Sequence, residues 1–318
     1  MREYSEEQVA ERLPMSLALQ AVEAAMRALA GGRAVNLPRR RLQLPRPAGD
    51  PPLAPRGAML HSMAAAVERN GRWYLGYKIY STGSFGAHFT VGLYDGASGE
   101  PLARFAADRL GQRRTAAASG VATRLLASPH ADTVAIIGAG WQGESQLEAI
   151  AAVRPIRQAR VYSPTPERRE RFAAAMSLRL GFEVAAVATS AAAVRGAPVV
   201  VTATSSRVPV IADGDLAAGV HINAIGSNAP GRQELEPATI RRAARLVVDS
   251  REQCQQESGD LLAALPPAAQ GGWDRVEELA AVLGHPLPPP DPATLTLFKS
   301  TGLALWDVAC AAAIWEQQ

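Results

Sequence analysis

The stretch Thr133–Ile150, TVAIIGAGWQGESQLEAI, decides how this chain is read. Five apolar or β-branched residues run into Gly138-Ala139-Gly140-Trp141-Gln142-Gly143, and a helical pattern follows. A strand that empties through G-x-G-x-x-G into a helix is the signature of a dinucleotide site. The first glycine permits the tight turn, the second lets a pyrophosphate approach the backbone, and the third lets helix and strand pack closely. The helix N-terminus then offers its free N–H groups to the phosphates. A glycine-rich structural turn is the alternative, and the flanking strand and helix argue against it.

The same alternation extends outward from this stretch. ARVYS reads as a strand, Pro166 to Leu180 as a helix, and APVVVTAT, HINAIG and RLVVDS as further strands. Short apolar strands alternating with helices predict a parallel sheet covered on both faces. Upstream of about Arg114 the character differs. Ser5-Glu6-Glu7-Gln8 is a capping box that opens a short helix, and an amphipathic helix is expected from about Leu17 to Ala30, ending at Gly31-Gly32. Pro45 to Gly57 reads as a proline-rich loop, while WYLGYKIYS and HFTVGLYD read as strands followed by the turn DGASGE. PPAAQGG and HPLPPPDP read as loops, and a last helix is expected from about Lys299. A chain of 318 residues has room for two such domains.

Composition narrows the function classes. The formal net charge is +3 and the pI about 9.1, from arginines scattered along the chain without interleaved aromatics. Nucleic-acid binding is therefore not expected. The densest basic run, LPRRRLQLP (Leu37 to Pro45), is short and bounded by prolines. Two cysteines, Cys254 and Cys310, imply no disulfide framework and suit a reducing cytosol. The charged N-terminus does not read as a signal peptide, and no apolar run reaches membrane-spanning length; GLALWDVACAAAIW is broken by Asp307 and reads as a buried helix. Five histidines and no Cys/His cluster give a metal site nothing to stand on.

The second strand of the dinucleotide unit bears on which cofactor is bound. An NAD site usually carries an acid at this strand tip to hold the ribose hydroxyls. Here the tip reads Ser163-Pro164-Thr165-Pro166-Glu167-Arg168-Arg169. Hydroxyls and guanidinium groups suit a 2′-phosphate that an Asp would repel, so NADP(H) is favoured and NAD(H) remains possible.

Taken with GQRRTAAASGVATRLLA, HINAIGSNAPGRQEL, VVDSREQCQQESGDL and FKSTGLALWDVA, the glycine stretch makes a set. The chain resembles the ornithine cyclodeaminase/mu-crystallin family over essentially its whole length. The resemblance implies an α/β fold in which a Rossmann-type dinucleotide-binding domain, residues 116–299, is inserted in an α+β substrate-binding and dimerisation domain, residues 1–115 plus 300–318. It implies NAD(P)(H)-dependent chemistry on amino acids and their imines, and a homodimer. By the same resemblance the substrate arginine is Arg40, with Arg39 and Arg41 as neighbours that compete for the role. Lys78 is the pocket lysine, and Arg114 is the arginine of the R-T-A-A motif, with Thr115 beside the cofactor phosphates. Thr202, Thr204 and Ser227 fall at the cofactor, and Ser300, Thr301 and Gly302 at its nicotinamide end. His61 and Lys299 are expected to be structural. Two guanidiniums can clamp a carboxylate bidentately while a lysine sits near the reacting carbon.

One departure from the family separates its activities. Cyclodeaminases and some related alanine dehydrogenases carry an Asp where this chain has Asn228. Deamination needs a titrating group to move protons as water adds and ammonia leaves, and an amide has no useful pKa. Reduction of a preformed imine needs a hydride, a carboxylate anchor and a proton at nitrogen. Asn228, which can only orient a water or an imine N–H, therefore points to a reductase of cyclic or N-substituted α-imino acids. An ornithine cyclodeaminase, an alanine-type dehydrogenase and a non-catalytic NADP-binding protein are the alternatives.

Overall fold

A computed structural model describes residues 1–44, 58–83, 86–285, 291 and 293–317. The proline-rich stretch Pro45 to Gly57, and most of HPLPPPDP, lie outside the described residues. In chain order the first elements are β1 (Arg2–Tyr4), α1 (Glu6–Arg12), α2 (Met15–Ala30), β2 (Ala34–Asn36), β3 (Arg40–Gln43), β4 (Met59–Arg69), β5 (Arg72–Gly83), β6 (Gly86–Asp95), β7 (Pro101–Ala106) and α3 (Asp108–Leu126). Then come β8 (Thr133–Ile137), α4 (Trp141–Val153), β9 (Gln158–Tyr162), α5 (Pro166–Leu180), β10 (Glu183–Ala186), α6 (Ser190–Val194), β11 (Val199–Thr202) and β12 (His221–Ala224). The last are α7 (Pro237–Arg242), β13 (Arg245–Val248), α8 (Arg251–Glu257), α9 (Gly259–Ala264), β14 (Val276–Glu278), α10 (Leu279–Gly284), β15 (Thr296–Lys299) and α11 (Ala304–Trp315).

The chain divides into two compact units, Met1–Arg114 with Leu303–Gln318, and Thr115–Gly302. The cuts fall one and three residues from those the family resemblance implies, the first of them inside α3.

The first unit is built on a seven-stranded sheet, with the path β1-β7-β6-β5-β4-β2 and β3 paired to β4. Its long strands β4 and β5 alternate between buried and more exposed positions. On β5, Tyr74, Gly76, Lys78 and Tyr80 are buried, while Trp73, Leu75 and Ile79 are exposed. The buried face carries α2 and α11. At Gly76 a Cβ would lie 2.7 Å from both Gly92 O and a methyl of Val308, so only glycine lets α11 come this close to β5. Residues Ala304 to Ile314 of α11 are buried all round, as a helix apolar on every face requires. The opposite face of the sheet leaves Leu60, Trp73, Leu75 and Ile79 about 40% exposed.

The second unit is a parallel sheet of eight strands, ordered β10-β9-β8-β11-β12-β15-β13-β14. The order reverses beside β8, the strand that feeds the glycine turn, and ligands of open α/β sheets bind at such a switch point. Both faces are covered. Ile137, Val200, Ile222 and Leu246 belong to one core; Ile136, Leu147, Val161 and Val201 belong to the other. The last helix was expected from about Lys299, but Thr296–Lys299 is strand β15, seated between β12 and β13. Its run from Leu295 to Lys299 is buried on both sides, which suits a central parallel strand. The helix begins five residues later, at Ala304.

Candidate active site

The first unit gathers a buried cluster of charge. Lys78 lies on the inward face of β5, only 2% exposed, and Asp307 on α11 is fully buried. Asp307 Oδ1 accepts from Lys78 Nζ at 2.9 Å and from Arg114 Nε at 3.1 Å. The Arg114 guanidinium stands 5.7 Å from the Trp306 ring centre, and Lys78 Nζ stands 5.0 Å from that of Phe89. Burial pushes the Lys78 ammonium down to about 8; the Asp307 charge opposes this, and Arg114 and Arg39 add to it. Lys78 can therefore exchange a proton near neutral pH, as an arginine cannot.

Two atoms of this cluster are buried with no hydrogen-bond partner among the described residues: Arg114 Nη1 and Asp307 Oδ2. Buried polar atoms are nearly always satisfied, so such a pair marks room for a ligand with an acceptor and a donor. A small molecule with a carboxylate beside a nitrogen has both.

Of the three arginines that compete for the substrate role, one is buried. Arg40 starts the exposed strand β3 and is itself exposed, whereas Arg39, just before the strand, is 5% exposed and close enough to depress Lys78 electrostatically. Arg41 is exposed as well. Backbone direction where the chain enters β3 makes this choice, and three consecutive arginines do not reveal it. His61 bonds Thr82 Oγ1 through Nε2 at 3.0 Å and stacks on Tyr80 at 4.2 Å. Burial, helped by Arg41 and Arg39, lowers its pKa to about 4, so it is neutral and structural.

In the second unit each glycine of the turn has its own reason. Gly138 has φ +115°, and a Cβ there would lie 2.5 Å from Ala203 O; at Gly143 it would lie 2.3 Å from Gly138 O. At Gly140 it would meet nothing within 4 Å. Gly140 is the N-cap of α4, and that helix start carries no side-chain cap. A bare helix start beside open space fits a pyrophosphate. Trp141 is half exposed at the first turn of that helix, with Gln142 next to it. Thr202, at the end of β11, is buried with its Oγ1 unpartnered among the described residues. Ser163 is 8% exposed and its carbonyl accepts from Arg169 Nη1 at 3.0 Å, while Thr165 and Arg168 are exposed. Thr115 is half-buried on α3.

Other expected cofactor residues are occupied within the protein. Thr204 donates its N–H and hydroxyl to Glu234 Oε1, and Ser227 donates its hydroxyl to Arg232 O. The Ser300 hydroxyl and the Thr301 and Gly302 N–H groups all donate to Asp249 Oδ2. These side chains shape the loops at the carboxyl ends of the strands. Lys299, fully buried, donates to Ser227 O at 2.7 Å and pairs with Asp260 Oδ2 at 3.0 Å. Asn228 is exposed on the loop after β12.

Sequence reasoning missed the carboxylates. Asp307 was visible only as the break in an apolar run, although a lone acid inside such a helix must find a partner when buried. Glu234, Asp249 and Asp260 had no comparable signal. Glu234 accepts from Thr204 and from the Gly226 N–H, and its pKa is raised by burial against the pull of Lys299. Both thiols are buried and raised by burial, Cys310 to about 12, which removes them as nucleophiles. Among the described residues no helix is long and apolar enough to cross a membrane.

Known proteins share this architecture. A Delta(1)-pyrroline-2-carboxylate reductase of Bacillus cereus is 36% identical over 228 residues, 71% of this chain and 70% of that protein. The structure of Thermococcus litoralis Delta(1)-pyrroline-2-carboxylate reductase in complex with NADH and L-proline matches with a TM-score of 0.89 at 30% identity, covering 100% of this chain and 97% of that one. An archaeal alanine dehydrogenase dimer with bound NAD matches with a TM-score of 0.87 at 29% identity, covering 99% of this chain and 95% of that one. The sequence pattern of the ornithine cyclodeaminase/mu-crystallin family matches residues 4–318, and the chain belongs to that family.

Proposed function

We propose that this protein is an NAD(P)H-dependent reductase of cyclic or N-substituted α-imino acids, of the pyrroline-2-carboxylate type. The observation that carries the reading is the buried Lys78, Asp307 and Arg114 cluster with its partnerless Nη1. Arg114, with Arg39 of the same unit, is a match for an α-carboxylate. Lys78 is the proton donor for the imine nitrogen. The glycine turn and the start of α4 hold the dinucleotide through its pyrophosphate. The reduced nicotinamide, when bound, supplies the hydride. Asn228 cannot titrate, so the turn after β12 offers water addition and ammonia loss no proton relay. The relatives that are pyrroline-2-carboxylate reductases support the same class of substrate.

The test is a panel of cyclic ketimine acids, keto acids and amino acids assayed with both reduced and both oxidised cofactors. Steady NADPH or NADH oxidation with a five- or six-membered cyclic ketimine acid is expected. Efficient ammonia release from ornithine or alanine, without imine reduction, would overturn the reading.

NADPH is the favoured cofactor because no acid stands at the tip of β9. Ser163→Asp is expected to reverse the order of affinity, through repulsion of the 2′-phosphate and a new acceptor for ribose hydroxyls. Fluorescence titration of both reduced cofactors reads this directly; an unmodified protein that prefers NADH would refute the assignment.

The first unit also serves assembly. An outward sheet face with Leu60, Trp73, Leu75 and Ile79 about 40% exposed is the kind of apolar patch that serves protein contacts. A second copy of the chain covers it, as a two-fold dimer places the same patch on both sides. Light scattering at micromolar concentration is expected to give a dimer, and Leu75→Glu to give monomers. Two buried cysteines and no disulfide fit a cytoplasmic protein.

A further inference from the structure

Lys78 and Arg114 each have a part in imine reduction, while Asp307, which joins them, has none so far. We propose that Asp307 is a positioning residue of the reaction: it keeps the Lys78 ammonium charged and holds it beside Arg114, and so sets the upper pH limit of imine reduction. The inference rests on the imine-reductase reading.

The surroundings of Lys78 explain why a carboxylate is needed. From α3, Arg114 faces the ammonium, and a Cβ on Gly111 would come within 3.0 Å of Nζ. From the segment before β3 comes Arg39. The ring of Tyr80 on the same strand stands 6.0 Å away and that of Phe89 on β6 stands 5.0 Å away. His61 on β4, stacked on Tyr80, is neutral. Two guanidiniums and the loss of water favour the free amine; among the charged groups of the described residues that act on Lys78, Asp307 on α11 is the one that favours the ammonium. Buried lysines without such a partner are documented at about 5–6. Here the value is about 8, within reach of a working proton donor.

Geometry gives the second half. One oxygen, Oδ1, receives both Lys78 Nζ and Arg114 Nε, at 2.9 and 3.1 Å. In an α-imino acid the nitrogen and the carboxylate are both bonded to the same carbon. A shared acceptor therefore keeps the proton donor and the carboxylate holder at the spacing of one small substrate. In the step itself, hydride adds to the imine carbon and the C=N π pair moves to nitrogen. Nitrogen takes a proton from Nζ, and the resulting amine of Lys78 regains one from solvent.

The composition is consistent with a proton-exchange role. The sequence holds only two lysines, Lys78 and Lys299, and all its other basic side chains apart from histidine are arginines. Both lysines are buried and each is paired with a buried Asp. Arginine supplies the exposed positive charge, and both lysines are buried.

The small lysine count also makes the test direct. Lysine labelled with 13C at Cε should give two signals, and the one absent from Lys78→Met is Lys78. In the wild-type protein it should titrate near 8, the value the ion pair supports. In Asp307→Asn it should titrate at least about one unit lower, and the basic limb of kcat/KM for a cyclic ketimine acid should move down by the same amount. NADPH affinity, set by the other unit, should stay unchanged, and Asp307→Glu should restore the limb. A folded, NADPH-binding Asp307→Asn protein with its basic limb in the wild-type position would overturn the proposal. If that variant does not fold, the wild-type titration decides: a midpoint near 8 supports it, and one at about 6 or below overturns it. A wild-type protein that reduces no imine would refute the function proposed above, while the lysine titration would still test Asp307.

Discussion

Lys78→Met is expected to lower kcat for ketimine reduction by about 1,000-fold, within the range of roughly 10² to 10⁴ for loss of a positioned general acid. KM should change little, because the carboxylate still has its guanidinium. Methionine fills nearly the same volume, so the packing of β5 against α11 survives. Asp307 also keeps one buried partner, Arg114 Nε, and the variant should melt as a folded protein. Rate as a function of pH gives the sign independently. The ammonium is the active form, so activity is full below the Lys78 pKa of about 8 and falls as the pH rises through it. A Lys78→Met protein that kept within about tenfold of wild-type kcat would remove lysine from the chemistry.

Arg114→Ala is expected to act on the other kinetic constant. Its Nη1 is the buried donor with no partner among the described residues, and the substrate carboxylate is the acceptor that fits it. Losing a buried charge pair costs on the order of 2–4 kcal/mol, so kcat/KM should fall about 30- to 700-fold, chiefly through KM. Asp307 keeps Lys78 as its partner, which protects the fold and the proton donor alike. A substrate analogue without the carboxylate should be insensitive to the change. Unchanged kinetics with carboxylate substrates would place the pocket elsewhere.

The fold brings together Lys78 and Arg114, both singled out by their motifs; their common partner carried no such signal. Asp307 lies 229 residues from Lys78, on a helix whose composition says only that it is buried. An ion pair carries no period, so no local pattern announces it. The same limit explains Arg39. Three arginines in a row are chemically equal, and only the path of the chain into β3 turns one of them inward.

On β5 strand parity runs against hydrophobicity. Along β5 the set Trp73, Leu75, Tyr77 and Ile79 is the more apolar, and hydrophobicity alone would turn it toward the core. The protein instead turns Tyr74, Gly76, Lys78 and Tyr80 inward and leaves the greasier set outside. The inward set is the one that carries Lys78 to its buried partner Asp307, and that pairing overrides hydrophobicity here.

What the sequence determined by itself is the parallel unit and its glycine turn. Continuous apolar strands, helix starts and the demands of Gly138, Gly140 and Gly143 act over a few residues, so they are written locally and can be read locally. What tertiary structure decided is which charges share a buried space: Arg39 rather than Arg40, Asp307 between Lys78 and Arg114, and Lys299 in a central strand instead of a helix. Pairing in a desolvated interior is strong only at contact distance. Contact between residues hundreds of positions apart exists only once the chain has folded.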